Sequence, residues 1–200
     1  MPATPFLVLA SASTARLALL RAAGLDPTPR PAFLDEDAIK RRARAAELSA
    51  GEAALLLATA KADTVPAANA LVIGADQILS CEGTWFDKPP DRAAAAAHLR
   101  ALSGRTHVLH TAVVLHDAHG LVWRHLAEPR LRMRPLDEAA IAAYLDAEGD
   151  AVLGSVGAYL LERHGRALFE AVDGDETAVL GLPMPPLLAA LRRHGLCPEP

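Results

Sequence analysis

Two hundred residues are enough for one substantial domain with its own core, or for two small lobes. A formal net charge of −4 gives no positive field for duplex nucleic acid, and no apolar run approaches the roughly 20 residues of a membrane helix. The two cysteines, Cys81 and Cys197, lie far apart with no CxxC pair, which excludes a cysteine zinc site of the usual spacing and argues against a disulfide framework.

The apolar residues at 6–10 read as a short buried strand. That run is too short for a signal peptide and lacks its basic flank, so a reducing cytoplasm is the expected compartment. Ser11 and Ser13 break the strand, and a helical pattern follows over 14–23 until Gly24 stops it. Pro27, Pro29 and Pro31 force an extended segment. Asp35, Glu36 and Asp37 open the next helix, where negative charge suits the N-terminus. The run Lys40, Arg41, Arg42 and Arg44 on that helix reads as a solvated face. A further helix over 50–65 follows Ser49 and carries Lys61. The apolar run from Leu71 ends abruptly at Gly74, with Asp76 two residues on, and reads as a buried strand that delivers Asp76 to its end. Residues 78–81 and 84–86 pair as a hairpin around Glu82 and Gly83. Residues 91–102 form a helix with five consecutive alanines. Residues 106–116 and 121–134 form a long antiparallel hairpin turning at 117–120. The histidines there, His107, His110, His116, His119 and His125, are expected to face solvent for the most part. A helix over 136–147, an irregular glycine-punctuated stretch over 154–162, a strand over 166–172 and an amphipathic helix over 184–194 close the chain. No repeat or linker divides it. The expected fold is a single mixed α/β domain over 1–200, with two lobes flanking a cleft.

Asp76 is the first candidate for chemistry, because aspartate is a poor strand residue and is rarely buried without a partner. Lys88, in the short turn before Pro89 and Pro90, is the second. Only three of the 20 basic side chains are lysines: Lys40, Lys61 and Lys88. Where alanine and arginine have filled generic positions, a retained lysine suggests a place that needs a compact point charge. The plainer reading makes each lysine surface decoration, and this weighs most on Lys40. The turn from Ser11 to Arg16 offers hydroxyls and free N–H groups at a helix N-terminus, a ready anion site, with Arg16 one turn in to fork onto a phosphate. Most such serines are simple caps. No GxxxxGK[ST] loop occurs, no GxGxxG follows a strand, and the eight histidines include no HExxH pair.

In chain order these elements are the SxS turn with Arg16, then Asp35 and Glu36, then Lys61. They continue with Gly74 and Asp76, Lys88 and Pro89, Ser103 and Gly104, Gly157 and Tyr159, and Gly181 and Pro183. The series resembles the Maf family of house-cleaning nucleotide pyrophosphatases from Leu9 to about Gly195. The resemblance implies a mixed α/β fold like that of the inosine-triphosphate pyrophosphatases, and usually a homodimer. It implies cleavage of a nucleoside triphosphate between its α and β phosphates, with a divalent cation such as Mg²⁺ or Mn²⁺. Asp76 matches the proton acceptor, and Glu36 a carboxylate that shares the metal with Asp76. Lys61 and Lys88 match the cleft lysines, and Ser11, Ser13 and Arg16 the phosphate-binding turn. Such residues suit the reaction, since a triphosphate carries about four negative charges that must be neutralised.

The chain departs from the usual family turn, Ser-Pro-Arg-Arg, because Thr14 and Ala15 replace the proline and the first arginine. Gln77 after Asp76, and Glu162 near the glycine-punctuated stretch, resemble the branch that prefers 7-methyl-GTP. Gly154 to Gly157 lack the lysine of the thymidine and uridine branch. Asp87 before Lys88 and Pro89 instead resembles the general family. Trp85 could stack on a cationic base, although a lone tryptophan in a hairpin is more often packing. A competing reading is a regulatory nucleotide- or partner-binding protein linked to septum formation, with weak catalysis. Retention of Glu36, Lys61, Asp76 and Lys88 speaks against it.

Overall fold

The two long apolar stretches become the two longest strands. In the computed structural model, which describes residues 6–66 and 68–196, β3 (Ala70–Cys81) and β5 (Thr106–Asp117) each run for 12 residues. They pair antiparallel from Val72 opposite His116 to Ser80 opposite Val108. On one side β3 also takes β1 (Phe6–Leu9) as a parallel neighbour, and β1 in turn takes the short β2 (Thr28–Pro29). Further along the same side β3 takes β4 (Thr84–Phe86), the expected hairpin partner. The other side of β5 carries β6 (Gly120–Ala127) and then β7 (Arg130–Met133), and β7 carries β8 (Phe169–Asp173). Among the described residues the result is one eight-stranded mixed sheet.

Among the described residues, seven helices cover it: α1 (Thr14–Ala22), α2 (Glu36–Ala45), α3 (Ala50–Asp63), α4 (Arg92–Leu102), α5 (Glu138–Glu148), α6 (Glu176–Val179) and α7 (Met184–Arg193). Alternation along β3 and β5 assigns the faces. Val72, Ile78, Ala112 and Val114 pack on α3 through Ala53, Ala54, Leu57, Ala58 and Ala62. Ile73, Ala75, Val113 and Leu115 pack on Leu20 of α1 and Leu187 and Leu191 of α7. At the far end of the long strands, Leu79, Leu109, Leu131 and Met133 pack on Leu99 of α4 and Ile141 and Leu145 of α5. The cleft lies where β3 and β5 pass from the first pair of layers to this second core.

Several expectations change. Asp76 is not at a strand end, because β5 pairs with β3 on both sides of it. What ends there is β1, whose pairing stops at Leu9 opposite Ile73, so β3 loses its parallel neighbour just before Asp76. The long hairpin is interrupted at Pro129, which has no N–H for the ladder; its carbonyl still accepts from Leu109 N at 3.1 Å. The last strand begins at Phe169, after a 3-10 turn over His164–Leu168. His107 and His116 are buried and His110 is largely so, which leaves His119 as the exposed one of the five. Cys197 lies outside the described residues, and Cys81 is a buried free thiol.

Candidate active site

A cleft of about 790 Å³ opens beside the middle of β3, a size typical of small-molecule sites. It collects the β1–α1 turn, the start of α2, Lys61 of α3, Asp76 and Gln77, the β4–α4 turn, the irregular stretch before β8 and the α6 turn.

Its centre depends on how closely α3 lies on β3. A Cβ on Gly74 would fall 2.1 Å from the Ala58 carbonyl oxygen and 2.9 Å from the Ala62 Cβ. The glycine lets the helix touch the strand, and Lys61, next to Ala62, then reaches Asp76 two residues beyond Gly74 on the same face. Lys61 Nζ donates to Asp76 Oδ1 at 2.6 Å and lies 2.9 Å from Glu36 Oε1. Lys61 and Asp76 are buried, and Glu36 is half-buried. Asp35 caps α2 by accepting from Ala38 N at 2.8 Å, so Glu36, the first helical residue, turns to the cleft. Burial works to raise the Glu36 carboxyl. The Lys61 charge and hydrogen bond, with Lys40 and Lys88, overcome it and hold Glu36 below its ordinary value. The Glu36–Lys61 pair therefore persists at pH values that protonate an exposed glutamate.

The SxS turn is more self-contained than the sequence suggests. Ser11 Oγ accepts from Ser13 N at 3.1 Å and Ser13 Oγ accepts from Arg16 N at 3.3 Å. The N–H groups of Thr14 and Ala15, in the first turn of α1, have no intrahelical partner, and both residues line the cleft. Arg16 does not reach out freely. Its Nη1 donates to the Ala75 carbonyl at 2.8 Å, on the strand edge that β1 vacates, and to Ser11 Oγ at 3.3 Å. Its Nε donates to the Gly181 carbonyl at 3.0 Å. Arg16 thus ties the turn, β3 and the α6 segment together, and it still lines the cleft.

Gln77 points to the opposite face from Asp76. Its Nε2 lies 2.8 Å from Thr111 Oγ1, 2.9 Å from the Ala178 carbonyl and 3.1 Å from that of Val179. Thr111 donates its own proton to Ala178 at 2.9 Å, so all three groups act only as acceptors toward Gln77. The amide nitrogen must face them, which leaves Oε1 as an acceptor without these partners on a residue that lines the cleft. Glu162 is exposed on the cleft wall. Its neighbours turn inward to the buried Glu148, which accepts from His164 N at 2.9 Å. Arg163 Nε lies 3.0 Å from the other Glu148 oxygen, close enough for charge pairing but not aligned as a hydrogen bond.

Lys88 is exposed at the cleft rim. Trp85 lies outside the cleft, with the Arg44 guanidinium 4.9 Å over its ring, which supports packing over base stacking. Lys40 was expected on a solvated face. It is instead largely buried, lines the cleft and bonds Asp87. The available signal was its spacing, four residues after Glu36 on one helix face. Thr111 carried no such signal, because its contact depends on the register of β5 against β3.

The family model described as Maf-like protein matches residues 6–194. A protein of Granulibacter bethesdensis named nucleoside triphosphate pyrophosphatase is 46% identical, over 94% of this chain and 96% of its own length. One of the same name from Gluconobacter oxydans is 49% identical over 93% of each chain. A protein of Rhizobium meliloti named 7-methyl-GTP pyrophosphatase is 46% identical, over 96% of this chain and 97% of its own.

Proposed function

The chain belongs to the Maf family, and from that membership we propose that it is a nucleoside triphosphate pyrophosphatase yielding a nucleoside monophosphate and pyrophosphate. The observation that carries this reading is the Glu36–Lys61–Asp76 cluster lining the cleft, with Lys61 and Asp76 buried. Asp76 accepts the proton of the attacking water as the new P–O bond forms and the bond between the α and β phosphates breaks. Arg16, Lys61 and Lys88 offset the charge on the leaving pyrophosphate, and the free N–H groups of Thr14 and Ala15 supply an anion-binding turn with Ser11 and Ser13.

Two carboxylate oxygens already converge on one cationic atom, at 2.6 and 2.9 Å. Among the described residues no cluster of three His, Cys, Asp or Glu side chains exists. This donor set fits Mg²⁺ or Mn²⁺, which take one or two carboxylates and complete their shell with water and phosphate oxygens. Glu36 and Asp76 would hold such an ion, which lowers the pKa of bound water and neutralises phosphate charge.

For the base we favour the 7-methyl-GTP-like reading. The Gln77 acceptor and the Glu162 carboxylate suit adjacent N–H donors of guanine and a cationic ring, whereas uracil and thymine present one donor between two acceptors. We further propose a homodimer working in the cytoplasm; no helix among the described residues is long and apolar enough to cross a membrane. A pyrophosphate-release assay over canonical and methylated triphosphates tests the reading. Turnover should vanish on chelation and return with Mg²⁺ or Mn²⁺. 7-Methyl-GTP should exceed dTTP and UTP in kcat/KM, with Glu162→Gln narrowing the gap. Equal or better use of dTTP or UTP rejects the branch, and no turnover of any triphosphate rejects the enzyme.

A further inference from the structure

The cleft holds one more cation than the family pattern accounts for. Lys40 lies four residues after Glu36 on α2, so both project from the same helix face. Its side chain is 14% exposed, its ammonium bonds the Asp87 carboxylate, and both residues line the same cleft as Asp76 and Lys88. Asp87 is itself 48% exposed and lies 4.0 Å from Arg44, so it keeps a second cation if Lys40 departs. Burial works to lower the Lys40 ammonium, but Asp87 first, then Asp76 and Glu36, hold it above its ordinary value, so it stays charged at neutral pH.

Resting on the pyrophosphatase reading, we infer that Lys40 is a further phosphate-binding residue of the cleft, held ready by Asp87 and handed over to a phosphate oxygen when the triphosphate enters. An ammonium on a flexible stem can exchange one oxygen partner for another with little movement of the helix. The incoming phosphate, with more negative charge and more acceptor oxygens, competes with a single half-exposed carboxylate. The plain alternative is that the Lys40–Asp87 pair only braces α2 against the β4–α4 turn. The two readings give opposite signs for Asp87.

The test is steady-state kinetics with the best substrate of the wild-type panel, alongside thermal melting of each protein. Lys40→Met should raise KM about tenfold or more, the scale of one charge-assisted hydrogen bond, with a smaller change in kcat. Asp87→Asn keeps the shape but weakens the hold on Lys40, so KM should stay level or fall. An unchanged KM in Lys40→Met overturns the inference. So does a similar rise in KM with similar loss of melting temperature in both variants, the signature of a brace. Should Lys40→Met fail to fold, Asp87→Asn decides alone: a KM at or below wild type supports the inference, and a raised one overturns it. A wild type inactive on every triphosphate removes the pyrophosphatase reading and this one with it, whereas an active wild type with an unaffected Lys40→Met removes only this one.

Discussion

Asp76 illustrates how much one residue depends on its partner. A carboxylate in the middle of a buried strand is costly unless paired, and Lys61 supplies the pairing at 2.6 Å. Asp76→Asn keeps the shape and an oxygen that can accept from Lys61. The ammonium also retains Glu36 at 2.9 Å as a counter-ion, so it is not stranded. The folded state should survive with a cooperative melt, while kcat falls by at least about 10²-fold, the lower range for loss of a general base. Turnover close to wild type in a folded Asp76→Asn protein would falsify the assignment of Asp76 as proton acceptor. That an aspartate mattered here was readable from its apolar neighbours. Its pairing with Lys61 was not, since 15 residues and a loop separate them.

At the scale of elements, α3 is the part that sets the geometry. Ser49 and Glu52 form a reciprocal cap, with Glu52 N donating to Ser49 Oγ at 3.2 Å and Ser49 N donating to Glu52 Oε2 at 2.8 Å. Alanines at 53, 54, 58 and 62 face the sheet and are essentially fully buried. Small side chains bring the helix close, and Gly74 removes the last obstacle. Gly74→Ala would place a methyl group against the Ala58 backbone, an atom that no rotamer change can move. The helix must shift, and Lys61 shifts with it. The expected outcome is a loss of about 1–3 kcal/mol in stability, as for other overpacked cores. A fall in kcat/KM of at least about tenfold should accompany it, since small misplacements of catalytic groups are costly. Denaturant midpoints and kinetics on the same preparation check both, and full activity in a destabilised Gly74→Ala protein would show that Lys61 tolerates the displacement.

Across the whole molecule, one route from pH to stability runs through the second core. His107 is fully buried, 2.9 Å from the Tyr159 hydroxyl, with Phe169 beside it and, among the described residues, no partner for Nδ1. Burial pushes its pKa down from 6.5 to about 4. Above pH 6.5 neither folded nor unfolded chain protonates this ring. Between 6.5 and about 4 the unfolded chain takes up a proton that the folded one refuses, so stability falls as pH falls. At about 1.4 kcal/mol per pH unit the loss reaches roughly 3 kcal/mol by pH 4 and then levels off. Urea midpoints at pH 7 and pH 4.5 should therefore differ more in the wild type than in His107→Phe. Equal differences in the two proteins would show that His107 does not govern the acid side.

The sequence alone determined most of what is local or ordered along the chain. The helix starts near Ser13, Asp35, Ser49, Asp91 and Asp137 were legible to within about two residues, because the capping and charge effects that fix them act within the first turn. The order of motifs from Ser11 to Pro183 pointed to the family because it survives without any knowledge of contacts. Tertiary structure decided whatever depends on register and approach. Alternation can mark a strand but not which neighbour ends beside it, so the continuation of β3 through Asp76 appeared only when β5 was paired with it. A basic run reads as solvated until a turn from elsewhere supplies Asp87 to Lys40. A histidine among alternating residues reads as polar until the packing of Tyr159 and Phe169 closes over it. In each case the deciding partner is distant in the chain, and its distance in space is set by the packing of whole elements rather than by the residues around the position itself.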